Sequence, residues 1–203
     1  MSKNTRFVLK HVRLSYPCLV NPEVNKNTTD PNAKPKYAAT FLMEKGGDNE
    51  KLLRAKLMEA LKEKAPESKK WCPAIRTNDM SKYFSLEARD GWPLRDGDTK
   101  DTAGYEGMSF VKATNISQPF TIDQRNCPKS ASEFYAGCYV DAAVEAYVYN
   151  LKNSSTFQVG LALAGVKFSE DGDAFGAGPI KATDYFGEPE DTFDSDDPNA
   201  YNI

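Results

Sequence analysis

Two long alternating segments near the end of the chain restrict the fold more than any other feature of the sequence. In YVDAAVEAYVYN, residues 139–150, small apolar residues alternate with polar and aromatic ones, and TFQVGLALAGVKF, residues 156–168, alternates again after LKNSS. Because successive side chains of a strand point to opposite faces, each segment is predicted to be a strand with one buried face. The short polar link predicts a hairpin. The predicted inward set is Val140, Ala142, Val144, Ala146 and Val148.

Further strands and one helix are predicted upstream of this hairpin. Alternation and β-branched or aromatic content predict strands at 6–14, 37–43, 83–89, 107–114 and 118–122. The helix is predicted to begin at Asp48, a good N-cap, and to end before Pro66, with Leu53, Leu57 and Leu61 recurring every fourth residue. Several antiparallel strands with one packed helix predict a mainly β domain, a small closed or partly closed barrel.

Charge divides the chain into two parts. No Lys or Arg follows Lys181, whereas seven carboxylates do, so 26 basic residues stand against 22 of the chain's 29 acidic ones before that point. We therefore expect one domain, residues 1–181, and an acidic tail, residues 182–203, that stays disordered because it has little apolar surface to bury. A merely solubilising tail is one interpretation. Aromatic residues among the acids favour a partner-binding tail, with candidate contacts Glu190, Asp191, Phe193, Asp194, Asp196, Asp197 and Tyr201.

Signatures of common enzyme classes are absent from the sequence. It contains no P-loop, GxGxxG, GxSxG or HExxH motif. The four cysteines have no CxxC spacing and there is one histidine, so neither a metal site nor a cofactor is predicted. No signal peptide or membrane span is predicted, and we expect a cytoplasmic protein that is not an enzyme. If the protein is an enzyme instead, the alternative is a metal-dependent nuclease or recombination accessory enzyme that uses acids such as Asp90, Asp96 and Asp98.

Basic residues lie beside aromatic ones in many of the predicted strands and loops. Binding of single-stranded nucleic acid needs cations for the phosphates and flat rings for unstacked bases. Trp92 lies in a loop between Arg89 and Arg95, where a large apolar ring has little structural reason to be, and we expect it to contact DNA. The full candidate set is Lys36, Tyr37, Arg89, Trp92, Arg95, Phe110, Lys112, Tyr139, Tyr147 and Tyr149. A further alternative is a protein-docking module, in which these aromatic residues belong to the core and the acidic tail is the functional part.

Four blocks of the sequence resemble a known family. They are the run YAATFLMEKGGDNEKLLRAKLMEAL, the loop GWPLRDGD, the segment YEGMSFVKAT, and FYAGCYVDAAVEAYVYN followed by GLALAGVKF. From about residue 6 to 176 their order is similar to that of phage single-stranded-DNA-binding proteins once catalogued as a domain of unknown function. The resemblance implies an OB-like barrel that binds single-stranded DNA in phage replication and recombination.

The resemblance also implies a role for the tail. Relatives in the wider class of phage single-stranded-DNA-binding proteins carry acidic C-terminal tails that compete with DNA and recruit replication proteins. The tail here is similar in character, although it ends in Ile203 instead of an aromatic residue. If the chain is encoded by a phage, its location would be the host cytoplasm. Exposed strand edges would further allow a homodimer.

Overall fold

The computed structural model describes residues 5–25, 31–64, 92–150 and 157–176, together with residue 185. The strands and the helix in these ranges are β1 Arg6–Glu23, β2 Lys36–Glu44, α1 Asp48–Lys64, β3 Leu94–Asp96, β4 Met108–Asn115, β5 Phe120–Ile122, β6 Tyr139–Asn150 and β7 Phe157–Glu170. Within the described ranges, no helix is both long and apolar enough to cross a membrane. The predicted strand at 83–89 and all of the tail except Tyr185 lie outside the described residues.

Five of the strands close into a barrel. Strand β1 pairs with β2 and β6, β2 continues to β4, β6 continues to β7, and all of these pairs are antiparallel. A short parallel contact between β4 and β7, with Ala113 opposite Leu161, closes the circle. The remaining strands β3 and β5 extend the sheet along β4 and β7. This connectivity is that of an OB-like barrel, as the sequence predicted.

The barrel interior is filled by the alternate residues of its strands. Val140, Ala142, Val144 and Ala146 are at most 2% exposed, which confirms the inward set predicted for β6. Val148, the fifth predicted member, is partly buried and packs against the same core. Each fully buried branched side chain contributes about 1.5–3 kcal/mol through the apolar area it removes from water.

Helix α1 packs on β6, β1, β2 and β7. Its predicted apolar row is buried, with Leu53 and Leu57 fully inaccessible. Near its start, the buried Glu50 carboxylate accepts hydrogen bonds from the Gly46 backbone N–H at 2.9 Å, from Ser109 Oγ at 2.8 Å and from the Arg54 guanidinium. Burial acts to raise the pKa of Glu50, but these hydrogen bonds outweigh it and the pKa is lowered. The network joins the helix to β4.

Strand β1 is longer than predicted and bends twice. The predicted strand ended at residue 14, whereas β1 continues to Glu23. Its register shifts between Leu9 and Val12 against β6, and between Ser15 and Cys18 and again between Cys18 and Glu23 against β2. The first two of these shifts each hold a residue with positive φ, His11 and Tyr16 respectively. Such bulges bend a strand, and here they let β1 pair with β6 in its first part and with β2 in its second.

Candidate nucleic-acid interface

The outward residues of β1, β2 and β4 form one continuous surface. Thr40 lies opposite Lys112 of β4 and opposite Ser15 of β1. The adjacent Phe41 and Val111 are fully buried, so Thr40 and Lys112 face outward. We call this surface the β1–β2–β4 face, and it consists of Ser15, Cys18, Lys36, Ala38, Thr40, Lys112 and Thr114. Its members Lys36 and Lys112 are exposed, whereas Ser15 and Thr40 are buried, and Ser15 is bonded by the Tyr105 hydroxyl.

Three of the four cations predicted to contact phosphates lie on or beside this face, and the fourth, Arg89, is outside the described residues. Lys36 and Lys112 are exposed, as is Arg95 on the neighbouring β3. Among the described residues, none of the three takes part in an ion pair. Lys112 is close enough to Cys18 to oppose the rise in the pKa of that thiol, which is caused first by burial and then by the Glu23 carboxylate. Lys112 thus brings a positive charge to the face near Cys18, and Glu23, opposite Lys36 on β1, brings a negative charge to its end.

Tyr147 and Tyr149 are brought to the edge of this face by the β6–β7 hairpin. Their ring centroids are 5.6 Å apart. The Tyr147 side chain is hydrogen-bonded to the Thr114 side chain. Burial of Tyr147 raises the pKa of its phenol. Its ring lies over Gly160, where a β-carbon would be 3.0 Å from ring atom Cζ. Tyr149 Oη donates to Gln158 Oε1 at 2.7 Å. Both rings are thus fixed through their hydroxyl ends.

Tyr37 and Phe110 are half-buried towards opposite ends of the β2–β4 pair, but only Phe110 lies on the side of the face, because Tyr37 alternates with Ala38 and shares the side of the buried Ala39. Tyr37 pairs with Asn115 at the end of β4, near the hairpin. Phe110 pairs with Arg95 and with Leu42 at the other end. The Phe110 ring meets Tyr105 edge-on at 5.2 Å, and the Lys100 ammonium lies 5.8 Å from its centroid. Here cations lie close to aromatic rings, but loop 97–107 covers part of Phe110.

Tyr139 lies away from the other candidates, on the β1–β6 side of the barrel. Its ring is stacked on His11 with centroids 4.5 Å apart and an interplanar angle of 6°. The Arg13 guanidinium lies 5.7 Å from the same ring and 4.4 Å from Phe175. The Tyr139 ring is thus already in contact with other side chains of the protein. It helps to pack residues 171–176 onto the barrel.

Trp92 differs from the sequence-based expectation. It is 5% exposed and belongs to the hydrophobic core, so its ring does not reach the solvent as a loop residue was expected to. The physical reason is that Leu94 begins β3, which pairs with β4 and draws the preceding residues inward. Arg89, Asp90 and the tail positions Glu190, Asp191, Phe193, Asp194, Asp196, Asp197 and Tyr201 lie outside the described residues.

Two of the three acids named for the nuclease alternative, Asp96 and Asp98, are bonded within the protein. The Lys45 ammonium bonds Asp96 at 2.6 Å and also bonds Asp98, and these bonds lower the pKa of both carboxyls. Asp98 Oδ1 further accepts the Gly107 backbone N–H at 2.7 Å. Within the part of the chain that the structure describes, no group of three or more His, Cys, Asp or Glu could hold a metal ion. Asp96 and Asp98 therefore anchor loop 97–107 to the end of β2.

Sequence reasoning missed two features of the surface. Tyr16, in the second bulge of β1, is 67% exposed beside the face. Gly160 and Thr114 position Tyr147, although they lie on two other strands. The exposed Tyr16 had one signal in the sequence: the Tyr16–Pro17 pair interrupts the alternation of β1.

The chain is similar to phage proteins over nearly its whole length. The model of a family described as Enterobacter phage Enc34, ssDNA-binding protein, matches residues 5–197. Protein p50 of Acyrthosiphon pisum secondary endosymbiont phage 1 is 33% identical over an alignment of 184 residues that covers 88% of this chain and 90% of p50.

Solved structures share the fold. The single-stranded DNA-binding protein from bacteriophage Enc34, in complex with ssDNA, superposes with a TM-score of 0.63 at 22% identity, over 86% of this chain and 91% of that one. The single-stranded DNA-binding protein gp2.5 encoded by bacteriophage T7 superposes with a TM-score of 0.51 at 12% identity, over 91% and 96%. By the extent of the family match, the chain belongs to the Enterobacter phage Enc34 ssDNA-binding protein family.

Proposed function

We propose that this protein binds single-stranded DNA, without sequence preference and without catalysis, on the β1–β2–β4 face. The observation that carries the proposal is the exposed Lys112, unpaired among the described residues, at the centre of a face that ends in the fixed rings of Tyr147 and Tyr149. In OB barrels the face of the second and third strands, here β2 and β4, binds oligonucleotides. The related Enc34 protein was solved in complex with ssDNA.

Two kinds of contact contribute to binding. Lys36, Lys112 and Arg95 neutralise phosphates, and each phosphate neutralised contributes about −0.7 to the slope of log affinity against log salt. Tyr147, Tyr149 and the open part of Phe110 stack on bases on this face, and Tyr37 does so from the end of the barrel beside it. Stacking is tolerant of sequence because every base has a flat face. Arg89 adds a further phosphate contact. Buried Trp92 and engaged Tyr139 make no direct contact with DNA.

Fluorescence anisotropy of a labelled poly-dT oligonucleotide tests this proposal. The full-length chain is titrated at low and at moderately high salt, with a duplex of equal length as competitor. We expect tight binding that weakens steeply with salt and that the duplex does not displace. An absence of binding at low salt, both with and without residues 182–203, would contradict the proposal and favour the protein-docking module.

The acidic tail regulates the same face in our proposal. Its seven carboxylates are opposite in sign to Lys36, Lys112 and Arg95, so tail and DNA compete for the same cations. DNA binding then frees Phe193 and Tyr201, with the acids around them, to recruit proteins of phage replication and recombination. Truncation after Lys181 should tighten DNA binding. Unchanged affinity of the truncated chain would exclude competition but leave DNA binding intact.

A homodimer is compatible with this arrangement. Strands β3 and β5 are at the two ends of the strand order, and an edge strand offers unpaired backbone groups to a second copy. Sedimentation of the free protein at several concentrations tests this part of the proposal. A single monomeric species throughout would contradict it.

A further inference from the structure

Tyr16 combines high exposure with an unfavourable backbone. Its side chain is 67% exposed, and its φ is +46°. A bulky residue in this left-handed region is a true outlier, because its β-carbon crowds the backbone. The following Pro17 restricts the residue before it to extended conformations, which opposes this backbone further. Glycine would hold the same bulge without strain.

The bulge places the Tyr16 ring beside the β1–β2–β4 face. Ser15, directly before it, lies opposite Thr40, and Cys18, two residues later, lies opposite Ala38. The Ser15 hydroxyl accepts a hydrogen bond from Tyr105 Oη at 3.0 Å, and Tyr16 is close enough to act on the pKa of Tyr105. Tyr16 is therefore an exposed residue near Tyr105 of loop 97–107, in the strand segment between two residues of the face.

His11 provides an internal comparison within the same strand. It has nearly the same backbone, with φ of +48°, in the first bulge of β1. Its ring is stacked on Tyr139, and its Nδ1 lies 3.2 Å from Ser169 Oγ. The strain at His11 is thus offset by contacts within the protein. Tyr16 has no stacked ring and no side-chain hydrogen bond among the described residues.

We infer that Tyr16 is a base-stacking residue of the single-stranded-DNA site, held outward by the bulge in β1. The inference rests on the proposed function. Strained residues persist where the surrounding structure holds them, and they concentrate at binding sites. Tyr16 is an exposed ring that follows Ser15, and Ser15 is in register with Thr40 and, through it, with Lys112. Such a ring can stack on a base while the cations of the face hold the adjacent phosphates. The site then has rings on both sides of its cations, Tyr16 on β1 and Tyr147 on β6.

The test separates stacking from folding by two substitutions at one position. Tyr16→Gly removes the ring and relieves the strain, whereas Tyr16→Phe keeps the ring. Phe120→Leu is the matched control, because Phe120 is a 50% exposed ring on β5, which borders β7 and not the face. His11→Gly is the control for a changed bulge in the same strand. Poly-dT affinity and the urea midpoint of unfolding are measured for each full-length variant.

We expect Tyr16→Gly to weaken poly-dT binding by about 5- to 150-fold, the range that corresponds to about 1–3 kcal/mol per stacked base. Its urea midpoint should rise. Tyr16→Phe, Phe120→Leu and His11→Gly should bind as the wild type does. A cross-link from bromodeoxyuridine in the oligonucleotide to Tyr16 would support the same contact directly.

Other outcomes overturn the inference in distinguishable ways. Wild-type affinity of Tyr16→Gly would refute stacking at Tyr16 and leave the proposed function standing. A lower urea midpoint for Tyr16→Gly would show that the ring supports the fold, contrary to the inference. Equal losses for Tyr16→Gly and Phe120→Leu would indicate a general effect of exposed rings. A wild-type protein that does not bind poly-dT would remove both the inference and the proposed function.

Discussion

Removing the three exposed cations at the proposed DNA site should flatten the salt dependence of binding by a calculable amount. The variant is Lys36→Ala, Arg95→Ala and Lys112→Ala combined. At about −0.7 per phosphate contact, the slope of log affinity against log salt should become about 2 units less steep. The ratio of wild-type to variant affinity should therefore change about 20-fold between 50 and 200 mM salt. All three side chains are exposed, so the fold should lose little stability.

The assay is anisotropy of labelled poly-dT over a salt series, and its control removes the same charge elsewhere. Arg6, Lys51 and Lys129 are ion-paired with Glu145, Asp48 and Glu133 and lie off the β1–β2–β4 face. Their combined substitution by Ala should leave the slope nearly unchanged. Equal slopes for the face variant and the wild type would refute the placement of the phosphates. Equal flattening by the control variant would mean that net charge, and not this face, sets the salt dependence.

Three further predictions concern residues outside the DNA contacts. Trp92→Ala should cost about 3–5 kcal/mol of stability by opening a core cavity. Trp92→Phe should stay folded and keep wild-type poly-dT affinity. A selective loss of affinity in Trp92→Phe would contradict the assignment of Trp92 to the core. Gly97→Ala should destabilise the protein by about 2–3 kcal/mol in urea unfolding, since its β-carbon would lie 2.2 Å from the Tyr105 carbonyl oxygen. Burial raises the pKa of Glu50 but its hydrogen bonds lower it overall, so its contribution to stability is present above the usual pKa of a glutamate and is lost as pH falls through the lowered value. Glu50→Gln should therefore destabilise the protein at pH 7 by about 1–3 kcal/mol, and less at acidic pH, when urea midpoints are compared; a gap that does not narrow would contradict this.

The barrel could be predicted from sequence because its strands have two chemically different faces. The alternation in β6 arises because one face of the strand is buried and the other is not. Val140 and Val144, on the predicted inward face, are buried. The helix was predictable for the same reason, from the spacing of Leu53 and Leu57. The full length of β1 was not, since its bulges interrupt the alternation at His11 and Tyr16.

The roles of individual aromatic residues could not be read from local sequence. Trp92 has charged neighbours in the chain, but the pairing of β3 with β4 makes it a core residue. Tyr139 and Tyr147 share one predicted face of β6, yet Tyr139 is stacked on His11 and Tyr147 lies over Gly160 beside the proposed DNA site. Their difference comes from the bend of β1 and from the residues of β7. Both are properties of cross-strand register, which periodicity within one strand does not contain.

The same limit applies to charge, and it decides how the DNA site should be sought in such barrels. Lys45 and Lys112 are equivalent in a count of basic residues, but Lys45 is bound by Asp96 and Asp98, whereas Lys112 is exposed and pairs with no described acid. An ammonium already held by two carboxylates has little charge to offer a phosphate, since moving to DNA would break both bonds. The excess of basic over acidic residues before Lys181 thus measures the capacity for DNA poorly. Exposed cations without a carboxylate partner, beside rings fixed at one end, are the better criterion, and on this barrel they coincide on the β1–β2–β4 face.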